Sequence, residues 1–589
     1  MPDWSYHVIF KPILNKVSPV SSRGFIHRGM NRIASLPFGS HIINFLGREE
    51  SAPSLSRNID GLSFSNPVGL SGKVDPELSG TKAFTNLGFG FLEAGPVSLM
   101  GSEPLSSPVV DNDNQYIHFP EEGSAGLDFV KERVKSARRK QPLFFRLAGS
   151  SIEVQTMIDQ LADSADGFIL EDPHFALNTE KPIYLSISDP GSVDFKSLEH
   201  YSGIVLELHE KYSKKSSLMV KHLRERGYSN TIITSGSVRE PQDALELLDS
   251  GADLVMLSGG YVFSGPGLTK RIKEALVSRE QPLPPPQGWF AYWIFGLFIF
   301  LGGVLALLFS LTSILLPYDE LFLGMNRENI WAYNERIMLF MAHDRMTLAG
   351  TMISGGIVYM NLAKHGVKKQ LKWAKQAIDA PAILGFLGIF LFIGFGYFDW
   401  LHLIFWLVLL PFYMYGYIKT KGISGTPSSS NRRNHSIWKA SLVGQFLFVV
   451  LGFSFVLGGM VISSFGVTSV FVPTDLLYLC MTPDQLEDFN SKLIPVIAHD
   501  RAGFGSALLS VGLLVLLLAL WGFQQGKKWI WRTFLFGGLP AFIAGIYVHF
   551  AIGYTSFIHL LPAYFAIGLY LGGLVMTYRF FHRVEDICD

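Results

Sequence analysis

Two hydrophobic patterns divide the chain. Between residues 62 and 276, short apolar runs alternate with longer amphipathic stretches; the runs include Leu143–Leu147, Gly167–Leu170, Ile183–Ile187, 204–208, 231–234 and Leu254–Leu257. Strands separated by helical crossovers predict a mainly parallel sheet with helices packed against it. Gln281 to Gln287 carries prolines at 282, 284, 285 and 286, which cannot continue a helix and predict a stiff linker over 281–288. Beyond it the pattern changes. Eight apolar segments follow, at about 289–316, 338–360, 381–398, 401–418, 440–465, 498–521, 533–550 and 557–578, each near the length that crosses hydrocarbon, the third and fourth being short and close together.

The loops between these segments orient them. Those after the second, fourth and sixth segments, with the C-terminal tail, hold 15 Lys and Arg, against three (Arg327, Arg336, Lys492) in the opposite loops. Basic residues stay on the cytoplasmic face, so the soluble half and both termini are expected in the cytoplasm. The membrane half also repeats itself. Pro317, Asp319, Leu321, Leu323, Met325, Asn334 and the run Ala342-His343-Asp344-Arg345 recur as Pro473, Asp475, Leu477, Leu479, Met481, Asn490 and Ala498-His499-Asp500-Arg501. His402 recurs as His559 after one inserted residue. Each unit has four spans, so the two units, 289–439 and 440–589, are expected to run parallel, related by an axis along the membrane normal.

With 589 residues the chain exceeds a single core, and its 48% hydrophobic content averages a water-facing half with a lipid-facing one. Net charge is zero, from 49 basic and 49 acidic residues, which gives no reason to expect a nucleic acid partner. Cys480 and Cys588 are far apart in the predicted topology, which argues against a disulfide framework or a thiolate metal site. The N-terminal 17 residues include Trp4, Tyr6, Ile9, Phe10 and Ile13 but are interrupted by Lys11 and Lys16. Too short and polar to span, they read as an amphipathic segment opening a helical extension over 1–54, lying either at the membrane interface or on the soluble domain.

The soluble half also carries a family resemblance. Asn66-Pro67-Val68-Gly69-Leu70-Ser71-Gly72 and Leu87-Gly88-Phe89-Gly90-Phe91-Leu92-Glu93-Ala94-Gly95, with the late turns Ser235-Gly236-Ser237 and Gly251 to Gly260 followed by Phe263-Ser264-Gly265-Pro266, resemble dihydroorotate dehydrogenases, flavin enzymes of pyrimidine synthesis. The resemblance covers about residues 55–280, and the N-terminal extension resembles the membrane-associated, quinone-using class. It implies an α/β TIM barrel, (β/α)8, with FMN as cofactor, a small-molecule substrate and quinone as electron acceptor. It assigns cofactor contacts to Gly69, Lys73, Gly95, Gly236, Ser237, Gly259 and Gly260. Small residues at the late turns have a physical rationale, since backbone N–H groups hold a phosphate only where no side chain blocks its approach. Glycines that merely turn the chain from strand to helix are the alternative.

The middle of the barrel departs from the family pattern. Leu170-Glu171-Asp172-Pro173-His174 stands where the family has an asparagine-rich stretch with the catalytic base, Ser186 where it has a flavin-contacting lysine, Glu207 where it has an asparagine, and Ile117 to Gly123 in place of an asparagine motif. Glu171, Asp172 and Glu207 would oppose an anionic pyrimidine carboxylate unless protonated or paired. Dihydroorotate itself is therefore not the expected substrate. His174 and His209 are candidate acid–base groups or plain rim residues, Lys73 a flavin contact or a solvated lysine, and no catalytic residue is assigned.

In the membrane half, His343, Asp344, Arg345, His499, Asp500 and Arg501 are costly against lipid and are expected to face the bundle interior or water, level with His402 and His559. Two roles stand for this polar cluster: a network locking helix ends together, or ligand binding, with haem or a metal held by paired imidazoles as one form of the latter. Metal-ligand spacing along a single helix is absent, so no metal site is assigned. Two functions follow for the whole chain: a membrane-tethered FMN oxidoreductase, or a catalytically degenerate barrel acting as sensor or scaffold for a transporter-like or structural membrane domain.

Overall fold

The computed structural model describes residues 2–584 apart from 49, 105, 114, 120–122, 136–138, 175–176, 189–197, 209–212, 279–282 and 392–395. Two compact units emerge: residues up to Glu280 with Thr426–Leu442, and Gln281–Gly425 with Val443–Val584.

The first unit is a closed parallel barrel of eight strands. In chain order they are β1 (Val68–Leu70), β2 (Phe91–Ser98), β3 (Leu143–Leu147), β4 (Gly167–Leu170), β5 (Ile183–Ile187), β6 (Gly203–Glu207), β7 (Thr231–Ser235) and β8 (Leu254–Leu257). Each pairs with its sequence neighbours, and β8 closes on β1 with Met256 opposite Gly69. The strands read as unbroken apolar runs because both faces are buried, one by the crossover helices and one by the barrel interior. β3 and β7 are buried at every position.

An antiparallel hairpin, Arg57–Ile59 with Leu62–Phe64, closes the N-terminal end of the barrel. Its Phe64 joins Phe91, Phe144, Tyr184 and Met256 in an interior aromatic layer. Asp60, at the turn, accepts from the Tyr184 hydroxyl and from Thr231 Oγ1, both at 2.8 Å.

Before the barrel come α1 (Pro19–Ser35) and α2 (Gly39–Gly47). The segment ahead of them packs on the barrel: Trp4 and Tyr6 are buried, Tyr6 donates to the Val262 carbonyl at 2.6 Å, and Asp3 accepts from Gly267 N at 2.8 Å and pairs with Arg271 at 3.1 Å. Those contacts lie around α3 (Gly259–Ser264) and α4 (Leu268–Val277). The segment Thr426–Leu442 belongs to the same unit, where Asn434 accepts from Arg271 at 2.6 Å and donates its backbone N–H to Glu240 at 2.9 Å.

Among the described residues, eight helices, all but the first turns of one in the second unit, are long and apolar enough to cross a membrane, as expected of an integral membrane protein. They are α5 (Trp289–Thr312), α6 (Glu335–His365), α7 (Lys372–Leu387), α8 (Trp400–Lys419), α9 (Ser436–Val467), α10 (Leu493–Trp521), α11 (Lys528–Ala551) and α12 (Phe557–His582). The third begins nine residues before its apolar run, at Lys372 rather than 381. Its first turns carry Lys375 and Asp379, an i,i+4 ion pair whose carboxylate also accepts from Tyr292, so charge is neutralised inside the bundle and the helix extends past the apolar run. Close helix approach rests on small residues: a Cβ on Gly356 of α6 would lie 2.6 Å from the Phe300 backbone nitrogen of α5.

Two short helices precede α6, Pro317–Leu323 and Arg327–Tyr333; two precede α10, Pro473–Leu479 and Pro483–Phe489. Pro317 and Pro473 open their helices at the position where a missing N–H costs nothing. Asp319 and Asp475 accept from the backbone of Leu316 and Val472, both at 2.8 Å. The pairs then grip each other reciprocally. Asn334 donates to the Leu479 carbonyl at 2.9 Å, Asn490 to the Leu323 carbonyl at 3.0 Å, and the Tyr333 and Phe489 rings stack at 3.7 Å.

Candidate functional site

The C-terminal ends of the barrel strands converge on a buried ion network. Arg146 of β3, 1% exposed, donates from Nε to Glu93 of β2, from one terminal nitrogen to Ser186 of β5 at 2.9 Å and from the other to Glu207 of β6 at 2.6 Å. Lys73 reaches Glu207 at 3.2 Å, and the Gly72 amide donates to Glu93 at 3.0 Å. A guanidinium presents donors in a fixed planar fork, so one arginine ties three strand ends together.

Burial by itself would raise the Glu207 carboxyl, but the charges of Arg146 and Lys73 outweigh it and hold the group below its ordinary range. Glu171, at the end of β4, is shifted the other way: burial raises it, and the pull of the same two cations is too weak to bring it back. Desolvation likewise opposes the charge on Arg146, yet Glu93 and Glu207 push its pKa above the ordinary arginine value. This mouth thus sets a carboxyl whose charge its surroundings favour, Glu207, beside one whose charge burial opposes, Glu171.

Lys73 therefore contacts Glu207, an acid at a position where the family pattern has an asparagine. Gly69 packs under the Phe91 ring and Gly95 against the Arg146 carbonyl. Gly236, Ser237, Gly259 and Gly260 come together at the ends of β7 and β8 and are buried. The glycine at 259 is required by close packing, since a Cβ there would lie 1.9 Å from the Ile117 carbonyl and 2.3 Å from the Tyr116 ring. Both belong to the hairpin Val109–Asp111 with Tyr116–His118, which covers this corner.

The same corner is rich in hydroxyls: Ser237 Oγ meets Ser216 Oγ at 3.0 Å, and Ser235 Oγ is buried with no hydrogen-bond partner among the described residues. His174 bonds Ser151 at 2.9 Å and Tyr201 at 3.0 Å, on the rim and apart from the network. His209 lies outside the described residues, as does Cys588.

Arg146 and Glu93 carry this network, and the sequence pattern assigns a role to neither. Their signal was present, because an arginine inside Leu-Phe-Phe-Arg-Leu and a glutamate inside Phe-Leu-Glu-Ala sit in strands that bury both faces, where an unpaired charge is prohibitively costly.

A cavity of about 370 Å³ lies in the same unit between α1, the first turns of the chain and the barrel. Ile26, Met30, Phe84, Ile117, Phe119 and Tyr261 line it, with Arg23 and His27 among its polar groups. His27 Nδ1 is 3.2 Å from Asp75.

In the membrane unit the two His-Asp-Arg triplets interlock. Arg345 donates to Asp500 at 2.7 Å and to Asp319 at 2.9 Å; Arg501 donates to Asp344 at 3.3 Å and to Asp475. Tyr397 and Tyr554 donate to Asp319 and Asp475. The histidines form two separate groups, His343 with His549 and His559, and His499 with His402 and Asp399. His549 and Asp399 were not singled out from sequence, because neither recurs in the other repeat.

No family model matches the chain. Among curated proteins, dihydroorotate dehydrogenase (quinone) of Christiangramia forsetii is 22% identical over 349 residues, covering 46% of this chain and 99% of that protein. Its namesake from Kineococcus radiotolerans is 20% identical, covering 46% and 93%. Among solved structures, DHODH of Eimeria tenella in complex with ferulenol aligns at 17% identity over 41% of this chain and 91% of that one, with a TM-score of 0.33. This chain is thus similar, over nearly the full length of those relatives and less than half of its own, to dihydroorotate dehydrogenases of the quinone type.

Proposed function

We propose that the protein is a membrane-tethered, FMN-dependent oxidoreductase of the dihydroorotate dehydrogenase type that oxidises a small molecule other than dihydroorotate and passes the electrons to quinone. The observation that carries this reading is the similarity to quinone enzymes across 99% and 93% of their lengths. Ser235, Ser237 and the amides of Gly259 and Gly260 would hold the phosphate of FMN once the Tyr116–His118 strand that packs on Gly259 moves aside, with Gly236, whose amide already donates to the Met256 carbonyl at 3.3 Å, shaping the turn; neutral donors at strand and helix ends suit a phosphate dianion. The bound flavin supplies two-electron acceptance from substrate and one- or two-electron release to an acceptor.

Among the described residues at the strand ends, Arg146 is matched by Glu93 and Glu207 and Lys73 by Glu207, so neither cation is free to receive a substrate carboxylate. The mouth favours a neutral or cationic substrate, with Glu207 as the ionised acceptor of its hydrogen bonds and Glu171 as the group able to hold or release a proton. The cavity beneath α1, apolar with Arg23 and His27 among its polar groups, suits a quinone ring and the start of its tail. The barrel lies on the cytoplasmic face by the distribution of basic residues.

The test is the absorption spectrum of the detergent-purified protein together with its thermal stability on adding FMN. Bands of oxidised flavin, or a rise in melting temperature with FMN, are expected. The absence of both would reject the flavoenzyme and leave a barrel kept as sensor or scaffold.

A further inference from the structure

His343 in α6 and His549 in α11 meet with their Nε2 atoms 3.0 Å apart. Each ring's other nitrogen is committed. His343 Nδ1 lies 2.8 Å from Asp344 Oδ1, and His549 Nδ1 bonds the Gly545 carbonyl one turn back in its own helix. A carboxylate and a carbonyl only accept, so both Nδ1 atoms carry the proton, and the tautomer this fixes leaves a lone pair on each Nε2. Two lone pairs aimed at each other inside a protein repel unless a cation lies between them.

His559, in the first turn of α12, completes the group. Its ring stacks on Tyr554 at 3.9 Å between centroids, and the Tyr554 hydroxyl is itself held by Asp475 at 2.8 Å. One nitrogen from each of the three imidazoles falls within 4.8 Å of the others. For a tetrahedral ion with metal–nitrogen bonds of about 2.0–2.1 Å, ligand nitrogens stand about 3.3 Å apart, so little movement is needed.

We propose that His343, His549 and His559 form a binding site for one divalent transition-metal ion of the Zn(II) class, with the fourth position open. Neutral imidazoles are the ligands such borderline ions take, while Mg(II) and Ca(II) take oxygen. Asp344 and the Gly545 carbonyl act as positioning groups that fix the ring tautomers, and Arg501 holds Asp344 in turn at 3.3 Å.

The corresponding place in the other half is built differently. There Asp399 takes the position of one imidazole and accepts from His402 Nδ1 at 2.6 Å, with His499 Nε2 at 4.0 Å. His402 Nδ1 is thereby committed to the carboxylate, whereas His499 Nε2 lies beyond hydrogen-bond distance of it, so this group lacks the facing pair of imidazole nitrogens seen around His343. The proposal is confined to the three-imidazole group and to one ion per chain.

The full-length protein, purified in detergent through a tag without histidines and stripped with chelator, is titrated with ZnCl2 and separately with CoCl2. Metal content, melting temperature and the Co(II) visible spectrum are read. One bound ion, a rise in melting temperature with Zn(II), and the intense Co(II) bands of a four-coordinate site are expected. His549→Ala and His559→Ala should each weaken binding, and Asp344→Asn should weaken it about 10–100-fold, while His402→Ala leaves it unchanged. No retained metal and no shift in the wild-type protein would overturn the site and leave a proton shared between His343 and His549. Two ions per chain, or an ion lost with His402→Ala but kept with His549→Ala, would overturn it equally.

Discussion

Arg345 of the first membrane repeat donates its Nε to Asp500 of the second at 2.7 Å, and the side chains are 15% and 7% exposed. The equivalent pair, Arg501 with Asp344, closes the ring in the opposite sense at 3.3 Å. Each repeat thus neutralises the other's buried charge.

This exchange predicts strong coupling between the repeats. Breaking a buried pair from one side leaves the other charge stranded, at a cost of about 3–5 kcal/mol. Arg345→Met and Asp500→Asn should each lower stability by that order in detergent, and the double variant should cost clearly less than their sum. Additive losses in a thermal or denaturant double-mutant cycle would remove the coupling.

In the barrel, Arg146→Met should cost a similar amount, about 3–5 kcal/mol, because Glu93 has no exposed side-chain surface to rehydrate. It should also change the acid limb of stability. Glu207 is held below its ordinary value of 4.5 when folded, so its contribution is present above that value and is lost as pH falls through the folded one. Removing Arg146 takes away the largest stabilising charge, and acid unfolding should begin at higher pH. Melting temperatures across pH 3–8 decide it, and an unmoved acid limb would sink the argument.

Glu171 has the opposite sign. Its folded pKa is raised above 4.5, so its ionisation opposes folding once pH exceeds the unfolded value, and the favourable contribution of its protonated form is lost as pH rises through the folded value. Glu171→Gln should stabilise the barrel near pH 7 and have little effect well below pH 4. A substitution neutral at both ends of the range would show that its carboxyl is fully solvated.

If quinone enters beneath α1, filling the cavity should separate the two half-reactions. Ile26→Trp is expected to weaken quinone-dependent turnover by about tenfold or more, or 1.4 kcal/mol, with FMN content and substrate-driven flavin reduction preserved. Unchanged quinone-dependent turnover in a variant that keeps its flavin would instead place the cavity outside the electron path.

Packing at Gly259 is testable without any cofactor. Gly259→Ala forces a Cβ to within 1.9 Å of the Ile117 carbonyl and must displace the covering hairpin, which overpacking data put at about 1–3 kcal/mol. Gly61, with nothing within 4 Å of a built Cβ but φ at +78°, isolates backbone strain, and Gly61→Ala should cost less, about 1 kcal/mol. Equal effects would mean the hairpin yields freely.

The parallel barrel strands, the eight apolar helices and the pairing of Asp319 with Asp475 or His343 with His499 were legible in the sequence, because burial on two faces, span length and a repeated spacing each leave a local periodic trace. Which charges meet was not legible. Arg146 joins Glu93 and Glu207 from strands 53 and 61 residues away, and His343 meets His549 across 206. Closing the barrel and the bundle brings them together, and a buried charge declares only that it needs a partner, not where along the chain that partner lies. The repeat predicts two like histidine sites; the tertiary structure makes one of three imidazoles and the other of two imidazoles with a carboxylate, because His549 and Asp399 come from positions the repeat does not share.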